Sequence, residues 1–117
     1  MNESKIMKKN WADNLPLPIT VCDTDGTILY MNPASVTTFD KDGGAALIGT
    51  NILDCHPEPS KSRLIEMIMD QSGQTYTTEK NGRKTLFHQV PWYEDGEYKG
   101  LVKLSVKLPE KLRNIVR

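Results

Sequence analysis

Apolar residues recur at three different spacings along the chain, and each spacing predicts a different element. From about Ser4 to Asn14 the apolar stripe Ile6, Met7, Trp11 and Leu15 repeats every three to four residues, which predicts a helix. Leu15-Pro16-Leu17-Pro18 ends it, because proline lacks an amide donor and disfavours helix in the residue before it. Ile19-Thr20-Val21-Cys22 is rich in β-branched residues and predicts a strand. The Asp23-Thr24-Asp25-Gly26 turn returns the chain through Thr27-Ile28-Leu29-Tyr30-Met31, completing a hairpin. Asn32-Pro33 has the form of a helix start, with Asn32 as the cap and Pro33 in the first turn of a short helix ending near Phe39.

The segment from Asp40 to Gly49 carries three glycines and no clear period. One helical turn is predicted over Asn51-Ile52-Leu53-Asp54. A longer helix follows from about Ser60, with Leu64, Met67, Ile68 and Gln71 on one face and Gly73 near its end. The last third is β-rich. Gln74 to Lys80, Arg83 to Tyr93 and Glu97 to Lys107 are predicted strands joined by turns at Asn81-Gly82 and Asp95-Gly96. Around and beyond Pro109, the apolar residues Leu108, Leu112, Ile115 and Val116 predict a terminal helix of about two turns, as the alternative to an unstructured tail. The organisation expected is an N-terminal helix over 1–14, one domain over 15–107 and a helix or tail over 108–117. Two strands, several short helices and three strands give an α+β class, with an antiparallel sheet covered by helices on one face.

Composition narrows the function classes. The 117 residues suit one domain with one core. Fifteen basic and fifteen acidic residues leave no net field, so neither nucleic acid nor an anionic membrane is an expected partner. No apolar run approaches the roughly 20 residues that span a bilayer, and the N-terminus lacks the apolar stretch of a signal peptide. A cytoplasmic location is therefore expected, with Cys22 and Cys55 as free thiols. The serines lack a nucleophile-elbow context, no glycine-rich phosphate loop appears, and the two histidines have unrelated surroundings. No enzyme is expected.

From Asn14 to Val106 the sequence resembles a PAS domain. Three segments carry the resemblance: ITVCDTDGTILYMN at Ile19 to Asn32, GTNIL at Gly49 to Leu53, and PWYEDGEYKG at Pro91 to Gly100. The segment Asp54-Cys55-His56-Pro57 with Ser60 also resembles a PAS subgroup found beside hemerythrin-like domains. The resemblance implies a five-stranded antiparallel sheet, short helices enclosing a cavity, and flanking N- and C-terminal helices. It further implies a sensory module in which a small molecule occupies the cavity, the chain pairs as a homodimer, and the signal passes to a partner protein. Laid on this sequence, the cavity residues are Ile52, Leu53, Ile65, Ile68, Phe87, Gln89 and Leu104, with Gln89 as the orienting polar group.

Strand alternation alone separates Leu86, His88, Val90 and Trp92 from Thr85, Phe87 and Gln89. By hydrophobicity the first set faces the core; by alignment with the family the second set does, and the alignment is followed. The outward stripe of Leu86, Val90 and Trp92 then needs cover, assigned to Ile6 and Trp11 of the first helix or to a second chain. Cys55-His56 is the candidate site for haem or a metal ion, and adjacent residues point in different directions, which weighs against both binding one ion. A flavin photoadduct is not expected, because Ile52 stands after Gly49-Thr50-Asn51, where light-sensing PAS domains carry the reactive cysteine. The alternatives to a small-molecule sensor are thus a haem or metal redox sensor using Cys55 and His56, or a ligand-free dimerisation module.

Overall fold

The computed structural model describes residues 11–117. Five strands, β1 (Ile19–Cys22), β2 (Ile28–Met31), β3 (Gln74–Lys80), β4 (Arg83–Glu94) and β5 (Glu97–Lys107), form one antiparallel sheet in the order β2-β1-β5-β4-β3. The early hairpin and the three late strands meet along β1 and β5, where Ile19 to Cys22 pair with Leu104 to Leu101. Between them lie helices α1 (Pro33–Thr38), α2 (Ile52–Cys55) and α3 (Ser60–Asp70), with 3-10 turns at Asp40–Asp42 and Gly44–Leu47. Leu64 and Met67 of α3 bury against Cys22 of β1 and Leu101 of β5, and Ile52, Leu53 and Ile68 pack around them. The helices therefore cover the sheet face that carries Cys22 and Leu101.

Two glycines are required by close approach of backbones. A Cβ on Gly73 would stand 1.9 Å from the Gln89 carbonyl oxygen, and one on Gly100 would stand 2.0 Å from that of Cys22. Gly73 does not end α3, as the sequence suggests. Gln71 does so, turning left-handed at φ 53° while its amide donates to Met67. The indole of Trp92, the strand partner of Gly100, donates to the same Cys22 carbonyl at 3.1 Å.

Among the described residues neither terminal segment forms an α-helix, which for 108–117 leaves the tail alternative. The described part of the first is a 3-10 turn, Trp11–Asn14, and Ile6 and Met7 lie outside the described residues. Residues 108–117 carry no helix. Leu112 and Val116 stay 65% and 88% exposed. A two-turn helix costs more to nucleate than it returns unless its apolar stripe is buried, and here it is not.

Asn32 joins the pieces of the fold. Its side chain is fully buried, with four hydrogen bonds. Oδ1 accepts from the Ser35 amide at 3.0 Å, capping α1, and from the Ile19 amide at 2.9 Å, at the start of β1. Nδ2 donates to the Ala12 and Leu17 carbonyls at 2.9 and 2.8 Å. Replacing Asn32 with Ala strands buried donors and acceptors, and urea unfolding is expected to show a loss of about 3 kcal/mol. Asn32→Asp keeps the acceptor but turns an oxygen toward two carbonyls, so a comparable loss is expected. Wild-type stability in that variant would show that the amide donors contribute nothing.

Candidate functional site

Side chains that face each other across neighbouring strands share a face of the sheet. One row runs through all five strands: Gln74 pairs with Gln89, Gln89 with Lys103, Lys103 with Thr20, and Thr20 with Met31. Above it, between sheet and helices, lies a cavity of about 370 Å³. Its walls are mostly apolar: Cys22, Ile28, Met31, Leu47, Ile52, Leu64 and Leu101 line it, with Phe39. The polar lining is Thr20, Gln89 and Lys103 from the sheet, and Asp42, Cys55 and His56 from the helical side. A second hollow of about 360 Å³ shares His56, Leu64 and Gln89 with the first and adds Arg63, Gln74 and Tyr76.

Lys103 is the unusual member. Its ammonium sits 4.7 Å from the centre of the Phe87 ring and 5.5 Å from that of Phe39, within cation–π range of both. Among the described residues no carboxylate pairs with it, although Asp42 lines the same cavity. Burial holds its pKa below the ordinary lysine value. Burial likewise pushes the Cys22 thiol up, against a smaller opposing effect from the Leu101 backbone, so Cys22 is a neutral wall.

Gln89 has a fixed orientation. Arg63 Nε donates to Gln74 Oε1 at 3.3 Å, and a guanidinium can only donate. Gln74 must then offer its amide nitrogen to Gln89, and Nε2 donates to Gln89 Oε1 at 2.7 Å. The NH2 of Gln89 is thereby left for the cavity. Arg63 is itself held by Glu66 at 2.6 Å. At the other end of the row Thr20 Oγ1 and Ser35 Oγ of α1 are hydrogen-bonded at 2.6 Å.

Of the residues assigned to the cavity from sequence, Ile52 and Gln89 line it. Leu53 and Ile68 pack against the core cluster instead. Phe87 is on the cavity side of the sheet but stacks on Tyr76, ring centres 5.2 Å apart, and its face meets the Lys103 ammonium rather than the cavity. Ile65 is exposed, because the buried stripe of α3 runs through Leu64 and Met67. Leu104 is on the opposite face, paired with His88 and Ile19, since the strand register places Leu101 and Lys103 inward. Lys103 was missed because a lysine between two aliphatic residues reads as the solvent side of a strand. The Asp95-Gly96 turn alone would pair Gln89 with Val102; the β-bulge between Trp92 and Tyr93 shifts the register by one residue and brings Lys103 opposite Gln89.

On the outer face Leu86, Val90 and Trp92 are half-buried; Trp11 is 70% exposed, and Ile6 lies outside the described residues. His88 bonds Thr75 through Nδ1 at 2.7 Å. Cys55 and His56 both line the cavity. The His56 Nδ1 lies 2.6 Å from the Ile52 carbonyl, which can only accept, so Nδ1 donates to it. Among the described residues no three His, Cys, Asp or Glu side chains cluster as a metal site would need.

The sequence matches the family described as PAS fold over residues 12–111. The chain belongs to the PAS family. Its fold is similar to the PAS domain of BvgS from Bordetella pertussis, at 20% identity and a TM-score of 0.64, covering 94% of this chain and 90% of that one. It is also similar to the Aer2 receptor from Vibrio cholerae, named a dual PAS-heme oxygen sensor, at 20% identity and TM-score 0.60, covering 80% and 95%. The sensor region of a sensor histidine kinase matches at 19% identity and TM-score 0.56; the match covers 77% of this chain and 38% of that one. No curated protein is similar enough in sequence to be matched. The membership makes this a sensory signalling module in class.

The Lys103 environment sets a pH dependence. Cys22, Asp42, Cys55 and His56 are the other ionisable groups on the cavity. Because the folded state binds the Lys103 proton less tightly than the unfolded chain, the destabilisation is fully present below the folded pKa. It is relieved as pH climbs from there toward the unfolded value. Lys103→Met is therefore expected to raise Tm at neutral pH by a few degrees, as about 1 kcal/mol moves it by roughly 4–8 °C in a domain this size. The gap should narrow at alkaline pH. Identical melting of the two proteins at pH 7 would mean that the ammonium is not desolvated.

Proposed function

We propose that this PAS domain binds a small molecule in the cavity beneath α2 and α3 and passes its occupancy to a partner protein. The observation that carries the reading is the hollow itself: about 370 Å³ of mostly apolar lining with a few inward polar groups. Ligand pockets commonly run from roughly 300 to 1,000 Å³ with this mix of walls. A domain without an occupant gains nothing from a desolvated lysine, and the same space filled with side chains would be more stable. Signalling then proceeds through contacts. The outward stripe of Leu86, Val90 and Trp92 suits a second copy of the chain, which makes a homodimer the form in which occupancy is read.

Native mass spectrometry of the purified protein is expected to show an organic mass beyond that of the chain. Leu101→Trp, which fills the cavity from the sheet side, should lose that mass while remaining folded. A wild-type protein that carries no added mass, and that no compound in a metabolite screen stabilises, would favour the ligand-free dimerisation module instead. Sedimentation of Val90→Asp tests the interface: wild type is expected as a dimer and the variant as a monomer.

A second reading rests on His56. With Nδ1 donating to the Ile52 carbonyl, Nε2 is the ring nitrogen left to ligate haem iron or another metal, and His56 borders the cavity beside Cys55. A Soret band in the purified protein, lost in His56→Ala, would decide for it.

A further inference from the structure

We infer that the cavity recognises a small carboxylic acid, whose carboxylate is held by Lys103 Nζ and the Gln89 amide while an aliphatic or single-ring body fills the apolar walls. The inference rests on the cavity being a ligand site and names the chemistry of its occupant. Three observations carry it. Lys103 and Gln89 are direct partners across β4 and β5, so their side chains leave neighbouring points of one sheet face and both border the hollow. Lys103 has aromatic rings beside it but no counter-charge among the described residues. Gln89 cannot turn its oxygen to the cavity, because Arg63 and Gln74 fix the amide by a chain of donors.

The cavity thus offers one full positive charge and an N–H donor on the same wall. An anion with two acceptor oxygens satisfies both groups at once, and charge-assisted hydrogen bonds of this kind are about twice as strong as neutral ones. A ketone or ester gives Lys103 only a dipole, and a cation is repelled. Asp42, on the helical side and exposed, is the opposing charge on the lining. It lies next to solvent, which screens it. The remaining lining, Ile28, Met31, Leu47, Ile52, Leu64 and Leu101, excludes a highly hydrated polyanion and suits one apolar group. Arg63 and Gln74 act as positioning residues: they do not border the hollow that holds Lys103, but they decide which atom of Gln89 faces it.

The test compares matched acids and amides. Hexanoate, octanoate, phenylacetate and indole-3-acetate, each beside its primary amide, are titrated into the full chain and followed by 1H–15N spectra at pH 7. At least one acid is expected to bind 10-fold or more tighter than its amide, with shifts at β4, β5 and α2. Lys103→Met should abolish that preference, leaving acid and amide within about twofold. Gln89→Leu and Arg63→Met should reduce it several-fold, Arg63→Met without changing the affinity of the amide. That last split separates positioning from a general loss of structure. Amides that bind as tightly as their acids, or a preference that survives Lys103→Met, would overturn the carboxylate assignment and leave the cavity standing as a site for neutral ligands. Silence from every acid, with a neutral compound found bound by mass spectrometry, overturns it in the same way. If neither acids nor amides bind and the purified protein carries no added mass, the ligand-site reading fails as well.

Discussion

The buried carboxamide of Asn32 fixes how the parts of this domain meet. An amide is the one side chain that accepts and donates from adjacent atoms, and both roles are used here without water. Its oxygen holds the first amide of β1 and caps α1; its nitrogen ties down the chain before β1. Met31, the residue before it, lines the cavity, and Ser35, three residues after it, bonds the Thr20 hydroxyl on the cavity floor. A displacement of α1 therefore moves the floor with it. Close packing then leaves few intermediate arrangements between intact and broken.

Much of the strand and turn pattern was legible because it depends on local chemistry. The DTDG, NG and DG turns fixed where strands reverse, and Asn32-Pro33 marked the helix start that the structure shows. Over 108–117 the sequence left helix and tail both open, and the tail stands because the apolar stripe finds no partner surface among the described residues. The ending of α3 was misplaced for a related reason. Gly73 looks like a helix stop, yet its lack of a side chain serves contact with β4, and that neighbour is invisible in sequence.

The candidate site was half legible, and the missing half shares one cause. In an ordinary half-buried strand the aliphatic residues face inward, but in β4 and β5 the inner set is Phe87, Gln89, Leu101, Lys103 and Ser105, and the outer set is largely aliphatic. Hydrophobicity inverts the faces of such a sheet. The family resemblance gave Gln89 on β4 and Leu104 on β5, and the structure keeps the first inward and turns the second outward. An unbulged hairpin from the Asp95-Gly96 turn would set Phe87 opposite Leu104; the bulge between Trp92 and Tyr93 adds one residue to β5 and, since a one-residue slip exchanges the faces completely, turns Lys103 inward instead. Where a strand violates its pattern on one side, its hydrogen-bonded neighbour is the first place to seek the compensating residue.

The row Gln74–Gln89–Lys103–Thr20–Met31 also explains how a cavity could speak to the surface. At one edge it reaches Arg63 and Glu66 on α3; toward the other it reaches Ser35 on α1. Both helices are thus attached to the sheet by hydrogen bonds from groups that border one hollow or the other. A group bound at Lys103 and Gln89 would change the partners of a chain that is otherwise satisfied internally, and only interactions that differ between the empty and filled states can shift such an equilibrium. The apolar walls can report that the space is filled. The polar row is the part of the lining able to report with what.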